Sequence, residues 1–315
     1  MGSPACAYFL IIDDTVIMPT QPITLFFVVS FALIAFAGNS VLCRLALGQG
    51  LIDAASFTAI RLLAGAVTML IIGLIAFRGN NQSIVQTLKA QNTLKAWLAS
   101  VMLFTYAATF SYAYISLQTG AGALILFGMV QLSMIVIGAL YGNKLHFVEW
   151  LGIGVAFAGV VYLVSPDLAS PSLLGFVLMA VSGVTWAIYT LLGRGSIQPI
   201  MDTAVNFLRT IPMVIVLVLL TLHTIEVTSL GVIYAVVSGA VASAMGYSIW
   251  YFVLKDISVT QAAVVQLSVP ILAALGGIVF VDELISRQFV IASIVVLSGI
   301  GMVILGRRYW APNSV

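Results

Sequence analysis

The sequence predicts an all-α polytopic membrane protein, with ten transmembrane helices forming two inverted five-helix repeats. Three observations carry this reading. Of the 315 residues, 62% are apolar and 7% are charged, against about 45–50% and ~25% in soluble domains. That leaves too little polar surface to cover a water-facing core. The charges are also far apart: 48 uncharged residues separate Lys95 from Lys144, and 28 separate Glu226 from Lys255, where one membrane helix needs about 20. Finally, short sequences of the first half recur in the same order in the second. A soluble enzyme, a nucleic-acid binder and a disordered scaffold are excluded together. Alternation at period two over ~10-residue segments, the mark of an outer-membrane barrel, is absent.

Apolar runs broken by turn residues place the spans near 23–43, 54–77, 93–115, 120–141, 147–164, 171–193, 201–222, 229–254, 259–281 and 286–306. Arg78-Gly79-Asn80-Asn81 ends the second span, Gln118-Thr119-Gly120 divides the third from the fourth, and Ser165-Pro166-Asp167 closes the fifth. The Asn- and Gln-rich stretch 79–92 is the longest polar connection. Residues 1–22 form an N-terminal tail, 23–164 the first repeat, 165–308 the second, and 309–315 a C-terminal tail. The apolar run Ala7–Ile12 is too short for the core of a cleavable signal.

Lysine and arginine set the orientation. With a cytoplasmic N-terminus, Arg78, Lys89, Lys95, Lys144, Arg194, Lys255, Arg307 and Arg308 fall inside, and Arg44 and Arg287 fall in outside connections. Both termini are therefore expected in the cytoplasm.

The repeat rests on several matches in register. Val130-Gln131-Leu132-Ser133 in the fourth span recurs as Val265-Gln266-Leu267-Ser268 in the ninth, and Tyr112 and Tyr247 share the same offset of 135 residues. Ile60-Arg61 and Leu208-Arg209 each follow an aspartate, Asp53 or Asp202, by seven or eight residues. An odd number of spans per copy turns the copies opposite ways. Such inverted repeats are typical of secondary transporters, with the substrate held near midplane between the copies.

The second half also resembles a known family. Val265-Gln266-Leu267-Ser268-Val269-Pro270 is followed by the small residues Ala273, Ala274, Gly276 and Gly277. Val281-Asp282-Glu283-Leu284, Gln288, Gly299 and Gly301 come next. Together with Gly38-Asn39, Phe57 and Arg61 in the first half, this resembles the EamA-type carriers of the drug/metabolite transporter superfamily, over residues 25 to 308. The family usually has Gly where Asp282 stands. The resemblance implies ten helices in a bacterial inner membrane and transport, often export, of amino acids, sugars, other metabolites or drugs.

The candidate substrate-binding residues are Asn39, Tyr106, Phe110, Gln131, Trp186, Tyr247 and Gln266. Gln131 and Gln266 are large amides near the middle of apolar helices, at equivalent places in the two copies. Lipid exposure would leave their polar atoms unpaired at several kcal/mol each, so both are expected to face protein or water, meeting across a cavity. Their alternative role, like that of Asn39, is an interhelical hydrogen bond. Tyr106, Phe110 and Trp186 lie deep enough to wall a partly apolar pocket; Tyr247, at i, i+3 with Trp250, is a further candidate, while Trp250 and Tyr251 read as an interfacial belt. Arg61 and Arg209 are read as structural or gating charges. Each is seven or eight residues from a helix end, within snorkelling reach at ~1.5 Å per residue. The glycines 152, 154, 159, 299 and 301 read as close-packing surfaces.

No catalytic constellation is present: His146 and His223 sit at loop edges, and there is no HExxH, phosphate loop or Ser/His/Asp set. Cys6 and Cys43 make neither a disulfide framework nor a metal site. No cofactor, metal, nucleic acid or obligate protein partner is expected; the partners are a small-molecule cargo and membrane lipid. The sequence therefore predicts a secondary transporter that exports a small organic metabolite, such as an amino acid, by alternating access. A channel-like pore and an intramembrane enzyme are the competing readings. No Asp or Glu falls mid-span; Glu149 comes closest. Uniport, exchange or coupling through the cargo's own charge is expected, rather than proton antiport.

Overall fold

A computed structural model describes residues 22–76, 93–141, 145–165, 172–193, 196, 198–253, 257 and 259–310. The connection 79–92 and the two chain ends lie outside the described residues. In lipid the backbone must satisfy its own hydrogen bonds, and every regular element described is a helix. They are α1 (Pro22–Leu47), α2 (Ala54–Ala76), α3 (Leu94–Tyr114), α4 (Thr119–Leu140), α5 (Phe147–Val164), α6 (Leu173–Gly193) and α7 (Pro199–Arg209). After these come α8 (Ile211–Leu220), α9 (Ser229–Val237), α10 (Gly246–Val253), α11 (Val259–Gln266), α12 (Val269–Val281) and α13 (Arg287–Trp310). Nine helices among the described residues are long and apolar enough to cross a membrane, and a tenth apolar helix, Phe147–Leu163, is shorter. The protein is an all-α, multi-pass membrane protein.

Helix starts are fixed by side chains that take up free backbone donors. Thr93 Oγ1 accepts from Ala96 N at 3.3 Å, Asp53 Oδ1 from Ser56 N at 2.9 Å, and Thr228 Oγ1 from Gly231 N at 3.1 Å. Glu149, 2% exposed, reaches back to accept from His146 N at 2.7 Å. That caps α5 and accounts for the carboxylate nearest to mid-span. At the far end of α12, Asp282 sits at φ +55°, the left-handed region that favours glycine. Glycine, the residue that the family resemblance puts at this place, would take up this conformation without strain.

Three spans of the second half are interrupted midway. Pro212 and Pro270 lack a backbone N–H, and the chain breaks before each, at Thr210 between α7 and α8 and at Leu267-Ser268 between α11 and α12. Between α9 and α10 the small-residue stretch Ser238–Met245 winds as a π-helix. The corresponding α2, α3 and α4 run unbroken.

The packing has a two-fold pattern. Span three packs on span six and span eight on span one; span four packs on span six and span nine on span one. Spans two and seven, four and nine, and five and ten pair directly. Exchanging the first five spans for the last five leaves this set of neighbours unchanged. Large apolar side chains that the bundle does not bury, among them Phe26, Phe27, Leu74, Trp150 and Leu219, face outward where lipid would cover them.

Three sequence expectations are corrected. α1 continues to Leu47, so Arg44 lies in its last turn and not in a connection. Trp250 is buried against Phe36 of α1, ring centroids 5.7 Å apart, because the close approach of α10 to α1 takes it out of any interfacial belt. Of the glycines read as packing faces, Gly152, Gly159 and Gly299 meet the partner helix of the α5–α13 pair, whereas Gly154 and Gly301 have open space before them.

Candidate functional site

The middle of the bundle is built around Arg61. Its side chain is 1% exposed and turns into the protein, not out to a helix end. Nη2 donates to the Tyr106 hydroxyl at 3.1 Å and Nε to Ser243 Oγ at 3.4 Å. The guanidinium carbon lies 5.4 Å from the centroid of the Tyr106 ring and 4.9 Å from that of Phe110, inside the ~6 Å reach of a cation–π contact. Around it the rings form a chain. Tyr106 lies 5.6 Å from Phe110 and 4.6 Å from Trp186, and Trp186 lies 5.0 Å from Tyr247. Four sequence candidates, Tyr106, Phe110, Trp186 and Tyr247, thus come together, drawn from helices of both halves.

Local sequence explains why these helices meet here. Ser182 donates to the Tyr106 carbonyl at 3.1 Å, holding α6 on α3. Gly239 in the π-helical segment rests on the Arg61 carbonyl, where a Cβ would have no room. Two turns of small residues, Ser238-Gly239-Ala240 and Ala242-Ser243-Ala244, bring the eighth span against α2 and place Ser243 beside Arg61. Single-turn π insertions are frequent at functional sites. Ser238 donates to Asn39 Oδ1 at 2.6 Å, so Asn39 is tied to the same segment.

The remaining candidates lie apart from this cluster. Gln131 is 5% exposed on α4, next to the place where Val130 N and Leu126 O line the space in front of Gly183. Gln266 is half-buried at the end of α11, where the ninth span breaks. Among the described residues no hydrogen bond joins the two amides. Arg209 stacks over Trp97 at 5.7 Å, near the point where Ser100 donates to Asn206 Oδ1 at 3.4 Å.

One end of the bundle is closed by bonds between connections. Arg44 Nε donates to Glu283 Oε1 at 3.0 Å, and Thr119 N, at the start of α4, donates to Glu283 Oε2 at 2.8 Å. Arg44 Nη1 reaches the carbonyls of Tyr114 and Ile115 at 3.3 and 3.2 Å. Asp53 N donates to the Glu226 carbonyl at 2.8 Å, and Thr228 N to that of Leu51 at 2.9 Å. Gln288 Nε2 donates to the carbonyls of Tyr162 and Ser165 at 2.9 and 3.0 Å. Beneath the Glu283 latch, the space lined by Gln118, Ala274 and Phe289 is about 10 Å³. That is about one probe sphere, the least that holds a single water.

Sequence reasoning missed both the latch and the central position of Arg61. Asp53 is spent on capping: its Oδ1 takes Ser56 N and its Oδ2 takes Glu226 N at 3.1 Å. A usable signal was the fall of Arg61, Tyr106 and Phe110 on helices with no acidic residue at their depth.

Comparison with known proteins fits this architecture. A model of the EamA-like transporter family matches residues 173–305. An uncharacterised protein of Pseudomonas aeruginosa is 41% identical over 276 residues, 88% of this chain and 93% of that protein. A protein of Escherichia coli named a probable amino-acid metabolite efflux pump is 22% identical, covering 69% of this chain and 78% of its own length. An uncharacterised transporter of Archaeoglobus fulgidus is 28% identical over 59% of this chain and 68% of its own length. A crystal structure 19% identical in sequence, covering 89% of this chain and 99% of its own, superposes with a TM-score of 0.58 and shares the fold. The chain belongs to the EamA-like transporter family, and it is a transporter, not an enzyme.

Proposed function

We propose that the protein exports a small organic metabolite across the bacterial inner membrane by alternating access, one five-helix repeat rocking against the other. The observation that carries this is the pairing of a central polar and aromatic cluster, drawn from both halves, with one sealed end. Such a carrier needs a site between its repeats and a closure on one side of it. The two-fold exchange of helix neighbours supports an inverted repeat, and the broken seventh, eighth and ninth spans supply hinges near the site. The name of the Escherichia coli relative makes amino acids and their derivatives the first cargoes to test.

The test is counterflow in proteoliposomes. A carrier shows saturable flux that is accelerated by unlabelled cargo on the opposite side; non-saturating flux without counterflow would replace this reading with a pore. Gln131 and Gln266 lie apart from the central cluster, so in the same assay Gln131→Leu and Gln266→Leu test how far the site extends: a roughly ten- to hundredfold loss of cargo affinity in the folded variants, the worth of a hydrogen bond to a charged ligand, would carry it to them. Unchanged affinity with lowered stability would make the glutamines interhelical ties.

The sealed end is assigned to the periplasm by the excess of Lys and Arg in the opposite connections. Reporter fusions at Val315 and within 79–92 should both report cytoplasmic. A periplasmic C-terminus would reverse the assignment and turn the sealed end inward.

A further inference from the structure

Arg61 carries a charge that no described side chain neutralises. Among the described residues no carboxylate stands within ion-pairing distance of it. The acidic side chains Asp53, Glu149, Asp202, Glu226, Asp282 and Glu283 lie at or beyond helix ends. Its Nη1 is buried with no acceptor, and its other donors meet only hydroxyls, at 3.1 and 3.4 Å. Burying a guanidinium in a membrane bundle is costly, and such residues are commonly paired or functional. The two rings beneath Arg61 offset part of that cost, but an unused pair of N–H donors remains at the centre of the molecule.

We infer that Arg61 is the cargo-binding cation and that the cargo is a monocarboxylate with an apolar or aromatic body. This deepens the transporter reading above and rests on it. A carboxylate matches the planar fork of a guanidinium and takes two parallel N–H bonds. Nη1 supplies one set of donors, and Nη2 the other once the Tyr106 hydroxyl gives way. A single fixed cation suits a single negative charge; a phosphate dianion would leave one charge unpaired in a frame of rings. Phe110, Trp186 and Tyr247 present the apolar wall for the rest of the molecule. Ser243 holds Nε and so keeps the fork aimed. A zwitterionic amino acid satisfies this site through its carboxylate.

The test uses the full-length protein in proteoliposomes with matched probes: phenylalanine against phenylalaninamide, and 3-phenylpropanoate against phenethylamine, alongside short aliphatic monocarboxylates and their amides. The expected result is counterflow of acids and not of the matched amides or amines. Arg61→Gln should weaken acid affinity at least tenfold, and Arg61→Lys should restore part of it. Because Arg61→Gln alone can fail to fold, Tyr106→Phe is measured beside it. It removes the hydroxyl that competes for Nη2 and keeps the charge, so acid affinity should be held or raised while the preference over amides persists. Amides carried as well as acids, or acid counterflow unchanged in folded Arg61→Gln, would overturn the carboxylate site and leave the transporter reading in place. Counterflow by no probe of either class would count against both.

Discussion

Gly239→Ala should leave little stable protein, although it adds one methyl group. A Cβ at this position runs into the Arg61 carbonyl oxygen, with the carbonyl carbon at 2.9 Å and Cα at 3.0 Å. All three obstacles are backbone atoms of α2, so no side chain can swing aside. The π-helical segment and α2 must part, at the level where Ser243 meets Arg61 and Ser238 meets Asn39. Overpacking a core costs about 1–3 kcal/mol and occasionally more. Here it should reach the upper end, because separating the helices also strands a buried guanidinium. Gly301→Ala is the matched control. Nothing lies within 4 Å of a Cβ there, and alanine is up to ~1 kcal/mol better than glycine inside a helix. Thermal unfolding in detergent should therefore move in opposite directions for the two variants. Equal shifts would show that the contact between the eighth span and α2 does not set stability.

Glu283→Gln should open the sealed end. Glu283 holds Arg44 of the first span and the Thr119 amide of the fourth at once. Glutamine can still accept from Thr119 but no longer neutralises Arg44. The readout is built into the chain: Cys43, buried and free, immediately precedes Arg44. With Cys6 replaced by Ser, a water-soluble maleimide should label Cys43 in lipid nanodiscs at least tenfold faster in the Glu283→Gln variant. Tenfold corresponds to about 1.4 kcal/mol off the cost of opening, within the range for a hydrogen bond to a charged group. Arg44→Ala should behave alike. A labelling rate equal to that of the parent would show that the other connections close this end without the latch.

The spans were legible in the sequence because lipid imposes a simple demand. About 20 apolar residues must form one closed set of backbone hydrogen bonds, so the ten apolar runs map onto the helices within a few residues. Which residues meet was legible only in part. Tyr106, Phe110 and Trp186 stood out as deep aromatics, and they come together with Tyr247. Arg61 was assigned to a helix end because counting residues along α2 gives its depth but not its direction. What turns it inward is the small-residue face of the eighth span, 178 to 182 positions away in Gly239 and Ser243, and no local pattern links the two. Gln131 and Gln266 share a tetrapeptide, yet α4 is continuous and the ninth span breaks at Leu267-Ser268, so identical local sequence sits in unlike backbone. Glu283 acquires its partners from residues 239 and 164 positions earlier, which spacing cannot reveal.

A buried cation that no described carboxylate offsets makes the protein an electrical device as well as a chemical one. Each elementary charge carried through the full potential difference is worth about 2.3 kcal/mol per 100 mV. A rearrangement that opens Arg61 first to one aqueous phase and then to the other moves part of that charge through the field, even if the guanidinium itself hardly travels. On the proposed cycle the empty protein is voltage-sensitive, whereas one holding a monoanion against Arg61 crosses as a neutral body. An interior-negative voltage draws the empty form back to face the cell interior. In such a cycle the return step carries the current, and voltage does the work for which a proton antiporter uses an intramembrane carboxylate.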